Sequence, residues 1–232
     1  MPFTRPVAGV IFDMDGLLLD TERLYLDGLF KAALAVDRVM TEAFAISMIG
    51  VPGKECVAMI EAHYGPDFSI VAFNAAYDAV VEAALERDIP LRPGARELVT
   101  YLTEQDIPQA IATSSRRPTV ERYIGRVGLL DRFAAIVSRE DVENPKPAPD
   151  PFLLAAARLG LPPADCLALE DSYHGITAAH AAGTMAIMVP DLLPVTDAVR
   201  AKCVTVADDL HTVAALIRNA RSRVIAAASA SS

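Results

Sequence analysis

VAGVIFDMDGLLLDTE, from Val7 to Glu22, is the stretch that decides the fold. Its first six residues are apolar without interruption, and acidic residues follow directly at Asp13 and Asp15. A short apolar run without polar alternation predicts a β-strand buried on both faces, as in a parallel sheet. Because ligands of open parallel sheets bind beyond the carboxyl ends of the strands, the two aspartates are predicted to lie at a site.

Five further apolar runs follow along the chain, and helical patterns lie between them. In one such pattern Val120, Ile124 and Val127 are spaced as one face of a helix, and Gly128 follows as a stop signal. Strands that alternate with helices predict an α/β fold, with a parallel Rossmann-like sheet covered by helices on both faces. The five runs are PQAIAT (108–113), FAAIV (133–137), CLALE (166–170), MAIMV (185–189) and CVTV (203–206).

A long segment after the first strand interrupts this alternation with helical patterns alone. Such a segment cannot lie inside the sheet, so it predicts a small α-helical cap domain that is inserted there. The predicted domains are a Rossmann-like catalytic core of residues 1–19 and 89–220, a helical cap of residues 20–88 and an Ala/Ser-rich tail of residues 221–232.

Composition limits the classes of partner. The chain has 232 residues, of which 53% are hydrophobic, so it is too apolar for a disordered acidic protein. Its net charge of -9 argues against nucleic acid, whose phosphates need clustered lysine and arginine. No stretch reaches the roughly 18 apolar residues of a membrane span, and the N-terminus lacks a signal-peptide pattern. We therefore expect a cytoplasmic protein that binds neither nucleic acid nor membrane.

The cysteines agree with that compartment. Cys56, Cys166 and Cys203 are widely spaced and form no CxxC pair, as is typical of reduced cytosolic thiols. We expect Cys166 and Cys203 to lie in buried strands.

Polar side chains follow four of the predicted strands. Asp13 and Asp15 follow the first strand and Thr113-Ser114-Ser115 the second, while Lys146 and Glu170-Asp171 follow the third and fourth. Acidic groups that converge on one sheet edge are costly unless a cation neutralises them. Carboxylate ligands without histidine or cysteine favour Mg²⁺.

Each of these pieces has a simpler structural explanation when it is taken alone. Asp-Gly favours turns, Thr113-Ser114-Ser115 could cap the next helix, and Glu170-Asp171 could form an N-terminal cap pair. The joint arrangement favours a site, because every piece follows its own strand.

Five stretches together resemble the haloacid dehalogenase superfamily, in its phosphatase branch with a helical cap after strand one. Within that branch the sequence is similar to pseudouridine-5'-phosphatases and to β-phosphoglucomutase-like proteins. The resemblance extends from about Val7 to Leu216. The stretches are IFDMDGLLLDTE, LRPGARELV, ATSS, NPKPAPDPF and LEDSYHGITAAHAAG.

The resemblance implies roles in catalysis and phosphate binding for five residues. Asp13 matches the nucleophile that forms an aspartyl-phosphate, and Asp15 matches the general acid/base. Thr113 and the amide of Ser114 match the phosphate-binding pair. Lys146 matches the lysine that steadies the nucleophile and the phosphoryl group.

It also implies a Mg²⁺ site and substrate contacts. Asp13, the backbone carbonyl of Asp15 and Asp171 match metal ligands, and Glu170 matches an acid that is a ligand in some members only. Arg116 follows the phosphate-binding loop, at a position where relatives bind the distal part of the substrate. The alternative is that Arg116 is a solvated residue at the start of a helix. Lys54 in the cap is another candidate for substrate contact. The alternative is that Lys54 lies on a solvated helix surface.

The predicted function is Mg²⁺-dependent hydrolysis of a small phosphorylated metabolite, a sugar or nucleoside monophosphate, through an aspartyl-phosphate. The alternative is a β-phosphoglucomutase-like phosphoryl transferase, although Tyr25 and Gly53 replace the histidine and arginine of those mutases. Haloacid dehalogenation is disfavoured by Asp15 and Asp171. A non-catalytic phosphate binder is disfavoured because nucleophile, acid and lysine are all present.

Overall fold

The computed structural model describes residues 3–49, 51 and 53–229. The chain forms two compact units, one from residues up to Leu19 and from Leu91 onward, the other from Asp20 to Pro90. The second boundary lies two residues beyond the one expected from the sequence, at Pro90 instead of Asp88. We describe each unit by itself.

The first unit is built on one parallel sheet. In the described residues it has six strands in the order β3-β2-β1-β4-β5-β6, and all its pairs are parallel. The predicted α/β fold with a parallel sheet is therefore confirmed. β1 is central, and Ile11 pairs with Ala110 of β2 and Ala168 of β4. The strands are β1 (Gly9–Phe12), β2 (Gln109–Ala112), β3 (Ala135–Val137), β4 (Cys166–Glu170), β5 (Met185–Met188) and β6 (Thr205–Val206).

The second unit consists of helices around a core of its own. Ala32, Ala33 and Phe73 are buried in it. Gly28 lets the first and fourth helices approach closely, because a Cβ there would lie 2.6 Å from Val81. The helices are α1 (Glu22–Ala35), α2 (Glu42–Ile46), α3 (Gly53–Tyr64) and α4 (Ile70–Arg87).

The helices of the first unit pack on the sheet. Phe152 and Ile176 are fully buried against β-strand residues such as Ile11, and burial of each such side chain contributes about 1.5–3 kcal/mol. Gly94 precedes α5 with a φ of +83°, and a side chain there would collide with the backbone of His211. The helices are α5 (Ala95–Glu104), α6 (Arg117–Arg126), α7 (Asp150–Leu159), α8 (Tyr173–Ala181), α9 (Asp197–Arg200) and α10 (Leu210–Ser229), with 3₁₀ turns at Leu130–Arg132, Arg139–Asp141 and Pro163–Asp165.

The Ala/Ser-rich segment continues α10 as far as Ser229. That helix has 20 residues, yet within the described part of the chain no helix is both long and apolar enough to cross a membrane.

One cysteine lies where the sequence did not predict it. Cys166 is buried in β4 as expected, but Cys203 is only partly buried and precedes β6. It lies there because α9 ends just before it, and its thiol donates to the carbonyl of Val199 at 3.3 Å. The strand expected at residue 203 therefore starts only at Thr205.

Asp141 ties three elements of the first unit together. It lies in the 3₁₀ turn after β3 and accepts hydrogen bonds from Arg117 of α6 at 2.8 Å and Arg158 of α7 at 2.7 Å. The amide of Ser138 also donates to it, at 2.7 Å. Burial alone would raise the pKa of Asp141, but the hydrogen bonds from Arg158, Ser138 and Arg117 hold that pKa well below its ordinary value.

Asp141→Asn is expected to lower the free energy of unfolding at pH 7 by about 1 kcal/mol, because charge-assisted hydrogen bonds to partly exposed arginines become neutral ones. A carboxyl group with a lowered pKa stabilises the fold fully above its ordinary pKa of 3.8 and loses this contribution as pH falls further. Urea unfolding at pH 7 and pH 3 should therefore show a smaller difference between the two proteins at pH 3.

Asp131→Asn is the matched control, because this exposed aspartate lies on the turn before β3. An equal difference at both pH values would contradict the assigned role of Asp141.

Candidate active site

The carboxyl edge of the sheet positions the polar side chains through its own hydrogen-bond ladder. The amide of Asp13, just beyond β1, donates to the carbonyl of Leu169 in β4 at 3.0 Å. Beyond β2, the amide of Thr113 donates to Val137 at 3.0 Å. Glu170 is itself the last residue of β4. Asp13, Thr113 and Glu170 are therefore held by the rigid sheet rather than by mobile loops.

Lys146 joins the ends of three strands. Its ammonium donates to Asp13 Oδ1 at 2.5 Å, to Glu170 Oε1 at 2.5 Å and to the carbonyl of Ala112 at 2.8 Å. Burial alone would lower the pKa of Lys146, but Asp13 and Glu170 raise it above the ordinary value, so the ammonium stays charged. A buried ion needs such partners, and here they come from β1, β2 and β4.

Glu170 is completely buried, and both of its oxygens accept hydrogen bonds. Oε1 accepts from Lys146, while Oε2 accepts from the amide of Ser172 at 3.3 Å and from its hydroxyl at 3.0 Å. The same hydroxyl accepts from the amide of Gly175 at 3.0 Å and so caps α8. A Cβ at Gly175 would overlap the Glu170 carboxylate, so glycine is required there.

Asp13, Glu170 and Asp171 form a buried cluster of carboxylates. Each offers an oxygen, and these oxygens lie within 4.8 Å of one another. Burial raises the pKa of Asp13 to about 8; Lys146 opposes this rise, and Glu170 and Asp15 add to it. A second cation would neutralise the excess charge and keep Asp13 ionised. The residues therefore fit a divalent metal ion with a preference for oxygen ligands, such as Mg²⁺.

Asp15 lies beside the loop that follows β2. Gly16, with a φ of +81°, turns the chain after Asp15, and its amide donates to Leu19 at 2.8 Å. The hydroxyl of Ser115 donates to Asp15 Oδ2 at 2.7 Å. From the sequence, Ser115 is located after the second predicted strand, but no role is predicted for it. Its position at a strand end is the signal that could have identified it.

Two of the simpler structural explanations, those that make these motifs helix caps, do not hold. Thr113-Ser114-Ser115 does not cap α6, because that helix begins at Arg117 and Arg116 occupies its N-cap without a side-chain hydrogen bond. At the start of α8 the capping side chain is Ser172, not Glu170 or Asp171.

Three of the predicted site residues are exposed, and one of them belongs to the other unit. Arg116 is exposed, and its guanidinium lies 3.9 Å from Glu140. Lys54 belongs to the helical unit, where it is exposed in the first turn of α3. Ser114 is exposed beside the buried Thr113. The predicted residues that the structure brings together are thus Asp13, Lys146, Glu170 and Asp171, with Asp15 joined to Ser115.

The chain is similar to known proteins over most of its length. Residues 10–189 match the family described as haloacid dehalogenase-like hydrolase. A probable pseudouridine-5'-phosphatase of Drosophila melanogaster is 37% identical over 200 residues, which cover 81% of this chain and 83% of that protein. Hexitol phosphatase B of Escherichia coli K12 is 33% identical, over 82% of this chain and 86% of that protein.

A solved structure extends the likeness to three dimensions. CbbY from Rhodobacter sphaeroides, in complex with phosphate, matches with a TM-score of 0.75 and 28% identity, over 88% of this chain and 95% of that one. The fold, the strand-end motifs and the matched residues agree with the predicted superfamily. The chain is therefore an enzyme that belongs to the haloacid dehalogenase-like hydrolase family.

Proposed function

We propose that the chain is a Mg²⁺-dependent phosphatase that hydrolyses a small phosphate monoester through an aspartyl-phosphate on Asp13. The observation that carries this proposal is the bridge from Lys146 to Asp13 and Glu170, which aims a lysine and a nucleophilic carboxylate at one point of the sheet edge. Two similar proteins that are named as phosphatases support the reaction class.

The first half-reaction transfers the phosphoryl group to the enzyme. A carboxylate oxygen of Asp13 attacks phosphorus while the bond to the ester oxygen breaks, and Asp15 donates a proton to that leaving oxygen. The hydroxyl of Thr113 and the amide of Ser114 donate hydrogen bonds to the phosphoryl oxygens. Lys146 stabilises the negative charge that spreads over these oxygens in the transition state.

The second half-reaction releases inorganic phosphate. Asp15, now a carboxylate, takes a proton from water as the water oxygen attacks phosphorus, and the bond to Asp13 breaks. One residue thus acts as acid and then as base. Lys146 holds Asp13 in the same place throughout, because its other contacts, to Glu170 and to the carbonyl of Ala112, belong to the sheet.

Asp13, Asp171 and the backbone carbonyl of Asp15 would hold the magnesium ion. Glu170 would bind it directly or act through Lys146 and Ser172, which already occupy its two oxygens. When bound, the ion supplies positive charge for the phosphoryl oxygens and for the nucleophile.

The proposed substrates are sugar or nucleoside monophosphates. The similar proteins named for pseudouridine 5'-phosphate and for hexitol phosphates favour this class. We propose that the helical unit, Asp20–Pro90, is the cap, and that Lys54 and Arg116 contact the substrate. We also propose that the chain is cytoplasmic and binds neither nucleic acid nor membrane, as such a substrate would allow.

Removal of the metal should abolish activity. With a panel of sugar and nucleoside monophosphates, free phosphate should appear with Mg²⁺ and should cease in excess chelator. Mg²⁺ should restore turnover, whereas Ca²⁺ should inhibit it, because Ca²⁺ accepts more ligands in a looser geometry and would bind both oxygens of the nucleophile. Full turnover in excess chelator would contradict the proposed cofactor.

The acceptor of the phosphoryl group should be water rather than a sugar. With β-glucose-1-phosphate and a catalytic amount of glucose-1,6-bisphosphate, free phosphate should form faster than glucose-6-phosphate. The reason is that two mutase residues are replaced in this chain. Gly53 aligns with the mutase arginine, whose guanidinium binds two phosphate oxygens at once, and Tyr25 aligns with the mutase histidine. Faster formation of glucose-6-phosphate would favour the mutase instead.

A further inference from the structure

Ser115 contacts the proposed acid/base directly and is itself held in place by its backbone. Its hydroxyl donates to Asp15 Oδ2 at 2.7 Å, and its amide donates to Thr113 Oγ1 at 3.1 Å. Its carbonyl accepts from the amide of Arg139 at 3.0 Å. We propose that Ser115 is the positioning residue for Asp15, an inference that rests on the proposed phosphatase function.

A hydroxyl suits this task because it can donate and accept. It donates to Asp15 when that group is a carboxylate, and it can accept from Asp15 when that group carries a proton. The contact therefore survives both half-reactions. An amide N–H in the same place could only donate, so it could not accept the hydrogen bond of the carboxyl O–H.

The place of the hydroxyl is set by the fold and not by the substrate. Arg139, which holds the backbone of Ser115, belongs to the 3₁₀ turn that Asp141 ties to Arg117 and Arg158. The loop after β2 thus has two separate tasks. Thr113 and Ser114 bind the phosphoryl group, whereas Ser115 orients the acid.

The proposal concerns one proton transfer. As the bond between phosphorus and the ester oxygen breaks and the bond to Asp13 forms, the proton of the Asp15 carboxyl moves to the leaving oxygen. A sugar leaves as a basic alkoxide and needs this proton, whereas p-nitrophenolate leaves as a stable anion. Loss of the Ser115 hydroxyl should therefore slow cleavage of the sugar phosphate more than cleavage of p-nitrophenyl phosphate.

The test compares Ser115→Thr with Ser115→Val, which have the same shape and differ in the hydroxyl. The first turnover is followed by rapid quench, with release of the alcohol from the best sugar or nucleoside monophosphate and of p-nitrophenolate from p-nitrophenyl phosphate. The valine variant should release the alcohol about tenfold more slowly, which is a part of the roughly 10²–10⁴-fold acceleration that a general acid contributes. It should release p-nitrophenolate less than about twofold more slowly. Threonine should restore alcohol release, and KM should change little in either variant.

The proposal is overturned if the valine variant slows both esters equally or slows neither. It is also overturned if the threonine variant loses as much activity as the valine variant. If the valine variant does not fold, Ser115→Ala carries the same comparison. Ser222→Ala on α10 is the matched control, since its exposed hydroxyl donates to the carbonyl of Arg218 in the same helix at 3.0 Å. If the unaltered enzyme releases neither product, the proposed function itself has failed, and the two failures are thereby distinguished.

Discussion

The ammonium of Lys146, buried between Asp13 and Glu170, is the interaction on which the rest of the site depends. Three buried carboxylates at one sheet edge repel one another, and removing charges from water is costly unless they are paired. Lys146 compensates part of that cost and also fixes the direction of Asp13. It is therefore a structural requirement of the first unit and, in the proposed mechanism, a group that acts on the phosphoryl oxygens.

Other features of the fold follow from the need to hold Glu170 opposite that lysine. Ser172 bonds the second oxygen of Glu170 and caps α8 with the same hydroxyl. The helix can start this close only because Gly175 has no side chain to overlap the carboxylate. The stretch LEDSYHG therefore combines a strand end, a charged ligand and a helix start in seven residues. A substitution at Gly175 would disturb all three together.

The sequence predicted what depends on local pattern. Apolar runs located the strands, and the rule that ligands bind at strand ends brought Asp13, Lys146 and Glu170 together before their distances were known. It did not predict the contact between Asp15 and Ser115, which are 100 residues apart. It also misplaced Cys203, because the end of a short helix depends on packing as well as on pattern.

The central claim is that Asp13 carries the phosphoryl group during turnover. The most direct measurement is to quench the enzyme in acid during steady turnover and to locate the phosphoryl group by peptide mass spectrometry after borohydride reduction, which converts an aspartyl-phosphate to homoserine. The account predicts homoserine at residue 13 in enzyme quenched with substrate and not in enzyme quenched without it. A phosphoryl group or homoserine at any other residue in place of residue 13 would contradict the account.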